Sequence, residues 1–177
     1  MQHYWQKVEG YLDHFELQDL ALRSFNSGRF VEIGTFRGRS ASYLGVEIIN
    51  SGKDIKLDTI DHFDISRDHS ATSENQYGTV IKNLEPVNSV VRVIPMKSVD
   101  AAKLYPDQSL EFVYIDASHD YQSVKEDILA WFNKVKIGGI IGGDDYGWKG
   151  VELAVKELIP QAQPIGVKDS NWYYIKR

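Results

Sequence analysis

The sequence predicts an α/β fold: a doubly wound, mostly parallel sheet with a C-terminal antiparallel hairpin strand and an extra N-terminal helix. Two observations carry that expectation. Short apolar, β-branched runs alternate with segments of helical period, which implies parallel strands with helices on both faces. The end of the chain breaks this alternation, with two short extended pieces, around 162–167 and 171–176, that read as a hairpin.

The elements follow in order. Residues 4–23 read as a helix, because Tyr4, Val8, Tyr11 or Leu12, and Phe15 recur at helical spacing and "NSG" at 26–28 supplies a stop. "RFVEIG", 29–34, is a short strand ending in glycine, and "SASYLGVEIIN" is a helix closed by a second "NSG" at 50–52. "IKLDTID", 55–61, is a strand, and 62–73 has no period and reads as a loop. A helix from about Glu74 to Leu84 stops at Pro86, and "VVRVI", 90–94, is a strand. Ser98 reads as the N-cap of a short helix that ends before Pro106. "LEFVYID", 110–116, is a strand, and Tyr121, Val124, Ile128, Phe132 and Val135 form a helical stripe. "GGIIGGD" is the next strand, and Val151, Ala154, Val155 and Leu158 mark a helix that stops at Pro160.

The bulk properties exclude several classes. Apolar residues are 42% and charged residues 25% of the 177, a globular balance in a length that suits one core. The net charge of −5 is scattered, without the basic face of a nucleic-acid binder. There is no cysteine, hence no disulfide framework and no thiolate metal site. No stretch approaches the roughly 18 apolar residues that span a membrane. The N-terminus lacks a signal pattern, so a cytoplasmic protein is expected. Residues 1–177 read as a single domain, with 1–28 as an N-terminal helical extension.

In sheets of this kind ligands bind beyond the carboxyl ends of the strands. Those ends are Glu32/Gly34, Asp61, Pro95 to Ser98, Asp116 and Asp144/Asp145, and nearly all carry an acid or a glycine. In "VEIGTFRGRS", Gly34 can take backbone angles closed to other residues and lets a ligand approach the chain, and Gly38 opens the following helix. A dinucleotide fingerprint would read G-x-G-x-x-G; here Phe36 stands at the middle glycine. Glu32 suits a cationic or hydroxylated ligand and repels phosphate, while Asp61 is placed to accept hydrogen bonds from ribose hydroxyls. A nucleoside with a positive group fits better than a dinucleotide. Glu32 has an alternative as a strand acid paired with Arg29 or Arg39, and Asp61 as a turn-capping residue.

"VEIGTFRGRS", the end of "LDTID", "IDASHDY" and "GGDDYGW" together resemble the Rossmann-like class I S-adenosylmethionine-dependent methyltransferases. More narrowly they are similar to the small-molecule O-methyltransferase branch with IDxxH and DDY motifs. The resemblance covers roughly residues 29–177. It implies that Glu32 lies near the methionine amino group, that Gly34 and Thr35 line the methionine part, and that Ser40 helps at the helix start. It implies Asp61 at the ribose, and Lys97 and Ser98 beside the adenine, although Met96-Lys97-Ser98 departs from the usual pattern there.

Asp116 ends the fourth strand and Asp144/Asp145 the fifth, neighbours about 5 Å apart in this fold. Crowded carboxylates raise each other's pKa unless a cation neutralises them, and Mg²⁺ wants oxygen ligands. Asp116, Asp144 and Asp145 match the metal positions of the catechol-type enzymes. The alternative is that these acids orient the methionine part or the acceptor, or that Asp145 caps the next helix. His119 stands where the catechol-type enzymes carry a catalytic Lys, and an imidazole is a reasonable general base there, with Asp116 beside it. Its alternatives are packing on the adenine side or capping the helix opening at Tyr121. Trp148 and Tyr146 are candidates for the acceptor pocket or for packing.

The expected activity is methyl transfer to a hydroxylated small molecule. No nucleic-acid or membrane partner is expected. The aromatic first helix is read either as closing over the cofactor or as a homodimer contact. Two other readings share the scaffold: a nicotinamide-dependent oxidoreductase, and a non-catalytic nucleoside-binding module.

Overall fold

The structure, a computed structural model, describes residues 1–12, 14–63 and 76–177. The expected loop at 62–73 falls outside these residues except for His62 and Phe63, and His69 and the start of the helix expected from Glu74 fall outside them too.

Among the described residues, seven strands form one sheet in the order β3-β2-β1-β4-β5-β7-β6. They are β1 (Ser27–Ile33), β2 (Asp54–Asp61), β3 (Val91–Pro95), β4 (Leu110–Ile115), β5 (Val135–Gly143), β6 (Gln163–Ile165) and β7 (Asn171–Ile175). β1 to β5 are parallel, and β7 lies antiparallel between β5 and the edge strand β6. The hairpin expected at the end of the chain is therefore present.

Helices α1 (Glu16–Ser24), α2 (Arg39–Ser51) and α3 (Gln76–Leu84) cover one face. Helices α4 (Ser98–Ala101), α5 (Tyr121–Trp131) and α6 (Lys149–Leu158) cover the other. Strand alternation sorts β1 between them: Phe30 packs with the α1–α3 side, Val31 and Ile33 with the α4–α6 side. Glu32, in phase with Phe30, therefore lies on the α2 side, under the start of that helix. On the opposite face the fully buried Asp58 accepts hydrogen bonds from the Arg29 and Arg92 guanidiniums and the Tyr105 hydroxyl, tying β1, β2 and β3 together.

Three details differ from the sequence reading. The helix expected at 4–23 is only its second half: residues 5–7 make a single 3₁₀ turn, and α1 begins at Glu16. Gly10, at φ +140, holds a conformation that a helix cannot contain. The periodic aromatics reach the neighbouring helices instead, with the Phe15 ring stacked 4.8 Å from Tyr43 of α2 and the Tyr4 hydroxyl donating to the Asn83 carbonyl of α3. Residues 8–12 and 14–15 thus form a non-helical strap rather than a helical extension. Ser98 is not an N-cap, because its hydroxyl instead accepts a hydrogen bond from the Trp131 indole N–H at 2.8 Å. Val135 leaves the helical stripe to begin β5, after a 3₁₀ turn at Phe132–Lys134.

Candidate active site

The strand order reverses direction between β1 and β4, and the polypeptide leaves both carboxyl ends there. Gly34 follows β1 at φ +96, and a Cβ on it would lie 1.9 Å from the Asp116 carbonyl oxygen. Only glycine fits, because the turns after β1 and β4 touch. The Asp116 N–H extends the ladder to the Ile33 carbonyl at 2.8 Å, and the Asp144 N–H does the same to Ile115 at 3.2 Å. These bonds set the strand-end acids side by side.

Over this point lies a cleft with two adjoining lobes that share Gly34, Phe36, Asp116 and His119. One lobe, about 550 Å³, runs past Asp61, His62, Met96 and Ser98. The other, about 630 Å³, runs past Thr35, Ser40, Asp144, Asp145 and Trp148. Tyr11 borders both, and Leu12 and His14 border the second, so the strap forms its outer wall.

Glu32 sits beneath this second lobe, 3% exposed. Its carboxylate accepts from the Ser40 hydroxyl at 2.5 Å and the Thr59 hydroxyl at 2.6 Å, and Thr59 is in turn bonded to Thr35 at 2.6 Å. Burial pushes the Glu32 carboxyl up to about 7, with Asp61 adding to the rise and the two hydroxyls opposing it. Glu32 pairs with neither Arg29 nor Arg39; Arg29 is committed to Asp58.

Asp61 holds the glycine turn. One carboxylate oxygen accepts from the Thr35 and Phe36 amides at 3.1 and 3.0 Å, and the other from the Phe63 amide at 2.9 Å. The turn-capping role is therefore present, and a carboxylate retains acceptor capacity for further donors from the cleft. Gly38, at φ +86, is the N-cap of α2 and packs against Leu84.

At the other end burial raises the Asp116 carboxyl well above its ordinary value, helped by the nearby charges of Asp144, Glu32 and Asp145. Asp144 is raised by burial and by Asp145, while the bond from the Asp145 amide and the nearby His14 and His119 oppose this. His119 Nε2 lies 2.6 Å from Asp145 Oδ2, and its ring is 5.0 Å from that of Trp148. Asp116, His119 and Asp145 each offer a ligand atom, all within 4.8 Å of one another. The crowding expected of Asp116, Asp144 and Asp145 is thus redistributed. Asp145, at φ +57, turns toward His119, and Asp144 stands outside the group.

Most of the sequence-predicted positions converge on one cleft. Lys97 does not: it is exposed, and Met96 and Ser98 line the lobe in its place. Tyr146 packs against the core, leaving Trp148, 58% exposed, at the cleft. Sequence reasoning missed Met96, Arg39 and His14 as cleft residues, while Tyr11, in the aromatic segment read as closing over the cofactor or as a dimer contact, borders both lobes. Gly10 is the one signal that could have shown the strap.

The sheet order, with an antiparallel strand inserted beside the last parallel one, defines the class: a Rossmann-like methyltransferase fold. The profile of the family described as "Methyltransferase domain" matches residues 31–146, and the chain belongs to that family. Solved structures similar in fold include the O-methyltransferase NovP, with 16% identity, 92% of this chain and 78% of that one covered, and a TM-score of 0.70. Another is CalS11, a TDP-rhamnose 3′-O-methyltransferase of calicheamicin biosynthesis, with 14% identity, 90% and 76% covered, and a TM-score of 0.69. A third is cofactor-bound Rv0187 from MTB, with 14% identity, 97% and 84% covered, and a TM-score of 0.67. No helix among the described residues is long and apolar enough to cross a membrane.

Proposed function

We propose that the protein transfers a methyl group from S-adenosylmethionine to a hydroxyl of a small molecule. The observation that carries this reading is the division of one cleft: Glu32 buried beneath the glycine turn, and the Asp145–His119 pair beyond it. The choice of a hydroxyl acceptor is supported by the names of NovP and CalS11, both O-methyltransferases.

In this reading Glu32 meets the cofactor's ammonium group, with Ser40 and Thr59 fixing the carboxylate. Gly34 and Thr35 line the methionine part. Asp61 receives the ribose hydroxyls, and Met96 and Ser98 flank the adenine. The acceptor enters beside His119, Asp145 and Trp148. Asp145 holds His119 Nε2–H, which leaves Nδ1 as the lone pair that takes the acceptor's proton. Bound in the cleft, the cofactor would supply an electrophilic methyl group whose carbon–sulfur bond would break toward sulfur as the acceptor oxygen bonds to carbon. Orientation within the cleft supplies much of the rate.

A divalent ion fits the donor set of Asp116, His119 and Asp145, two carboxylates and an imidazole. One nitrogen ligand suits Mn²⁺ or a similar ion better than Mg²⁺, which prefers oxygen throughout. Bound there, an ion would polarise the acceptor hydroxyl. His119 then serves as ligand or as base, not both.

Calorimetric titration of S-adenosylhomocysteine tests the reading, with and without Mg²⁺ or Mn²⁺. Wild type is expected to bind, Asp61→Ala to bind at least about tenfold more weakly, and Asp145→Ala to lose the heat of the divalent ion. No binding by wild type at about 1 mM ligand sinks the methyltransferase reading and promotes the non-catalytic one.

A further inference from the structure

The two arginines of "FRGRS" have different fates. Arg37 forms an ion pair with Glu9 at 2.6 Å. Arg39, the first residue of α2, forms none among the described residues. Its guanidinium lies 5.0 Å from the Trp5 ring, donates from Nη1 to the Val8 carbonyl at 3.2 Å, and has a buried Nε with no partner among the described residues. Gly10 allows the strap to pass this close, since a Cβ there would sit 3.2 Å from Arg39 Cβ. The strap therefore holds an arginine in place without neutralising it.

Arg39 borders the lobe that also contains Thr35 and Ser40. Among the described residues it is the only lysine or arginine lining either lobe, while Asp61, Asp116, Asp144 and Asp145 line them with acids. An anionic group entering this cleft meets repulsion almost everywhere and attraction at Arg39. The α2 N-terminus beside it has no side-chain cap among the described residues, so its first-turn amides also favour negative charge. The next residue, Ser40, is bonded to Glu32. Adjacent positions of one helical turn thus present a cation and, through Ser40, an anion. That pair matches a zwitterionic amino-acid end group.

We propose that Arg39, held by the N-terminal strap, receives the carboxylate of the cofactor's amino-acid end, opposite the ammonium site at Glu32. This rests on the methyltransferase reading. It makes the strap a part of the cofactor site rather than only a cover. A guanidinium supplies a planar donor fork suited to a carboxylate, and stacking on Trp5 limits its freedom before the ligand arrives.

The test compares two ligands that share the adenosine and the sulfur. S-adenosylhomocysteine carries the amino-acid end, and 5′-methylthioadenosine lacks it. Calorimetry on wild type, Arg39→Gln and Arg39→Lys is expected to show S-adenosylhomocysteine weakened about 10- to 100-fold by Gln, and 5′-methylthioadenosine unchanged. Arg39→Lys keeps the charge and is expected to restore part of the discrimination between the two ligands. Equal losses for both ligands in Arg39→Gln overturn the proposal, because the residue then serves the shape of the cleft. Undiminished S-adenosylhomocysteine binding in that variant overturns it too, while leaving the cofactor assignment intact. Failure of wild type to bind either ligand removes both.

Discussion

Glu32→Gln isolates the electrostatics of the cleft without needing an acceptor. Burial is the main reason the Glu32 carboxyl rises from 4.5 to about 7. Between those values the folded protein holds a proton that the unfolded chain has released. Stability therefore falls as pH rises through that window, and the full penalty is present above about 7. The gap corresponds to about 3 kcal/mol. Glutamine has the same shape and no charge. Its amide can donate to the Thr59 hydroxyl, which turns to donate to Thr35, so no buried polar atom is stranded. The variant should match wild type below about pH 4 and exceed it by about 3 kcal/mol near pH 8. Urea unfolding across a pH series measures the difference. Asp116 and Asp144 titrate in both proteins, so subtracting the curves leaves Glu32 to first order. A difference that stays flat with pH, or a variant less stable than wild type at about pH 8, refutes the reasoning. S-adenosylhomocysteine should bind the variant more weakly even as the fold gains stability.

Three further variants probe separate parts. Asp58→Ala leaves the Arg29 and Arg92 guanidiniums and the Tyr105 hydroxyl facing a vacated site. It should cost about 2–4 kcal/mol in urea unfolding, discounted because both arginines are partly exposed. Gly34→Ala places a methyl group 1.9 Å from the Asp116 carbonyl. It should lower the melting temperature and weaken S-adenosylhomocysteine at least about 100-fold by calorimetry. His119→Gln should slow transfer of labelled methyl groups by about 10²- to 10⁴-fold while leaving S-adenosylhomocysteine affinity within about twofold. An unchanged rate would remove His119 as the base.

The sheet was legible because each parallel strand is a β-branched run followed by a helical period, and the ends of those runs carry Glu32, Asp61, Asp116 and Asp144. The N-terminal region was not. Tyr4, Val8, Leu12 and Phe15 keep helical spacing, but spacing records which residues are apolar, not which partner they bury against. Phe15 stacks on Tyr43 of α2 and the Tyr4 hydroxyl reaches Asn83 of α3, with Gly10 breaking the helix between them. The resemblance implies Lys97 beside the adenine, yet Lys97 is exposed and Met96 lines the lobe. The relation of Asp144 to Asp145 was hidden for a similar reason. Adjacent residues after a strand diverge once one of them takes a left-handed conformation, and Asp145 does.

The acids that define the cleft work against the fold that carries them. Burial and mutual repulsion raise Glu32, Asp116 and Asp144 together, so each adds to a stability penalty that grows with pH. A cationic ligand offsets part of that penalty, at Glu32. Its ammonium lowers the cost of ionising Glu32, so binding below about pH 7 should release a proton, and affinity should rise with pH toward that value. Ligand stabilisation and intrinsic stability then run in opposite directions along the pH axis. The rise in melting temperature caused by S-adenosylhomocysteine should be greater near pH 8 than near pH 5.5, roughly the interval over which Glu32 loses its proton. In Glu32→Gln that part of the pH dependence should disappear. A ligand-induced shift equally steep in both proteins would mean that the charge meeting the cofactor is not the one buried beneath the glycine turn.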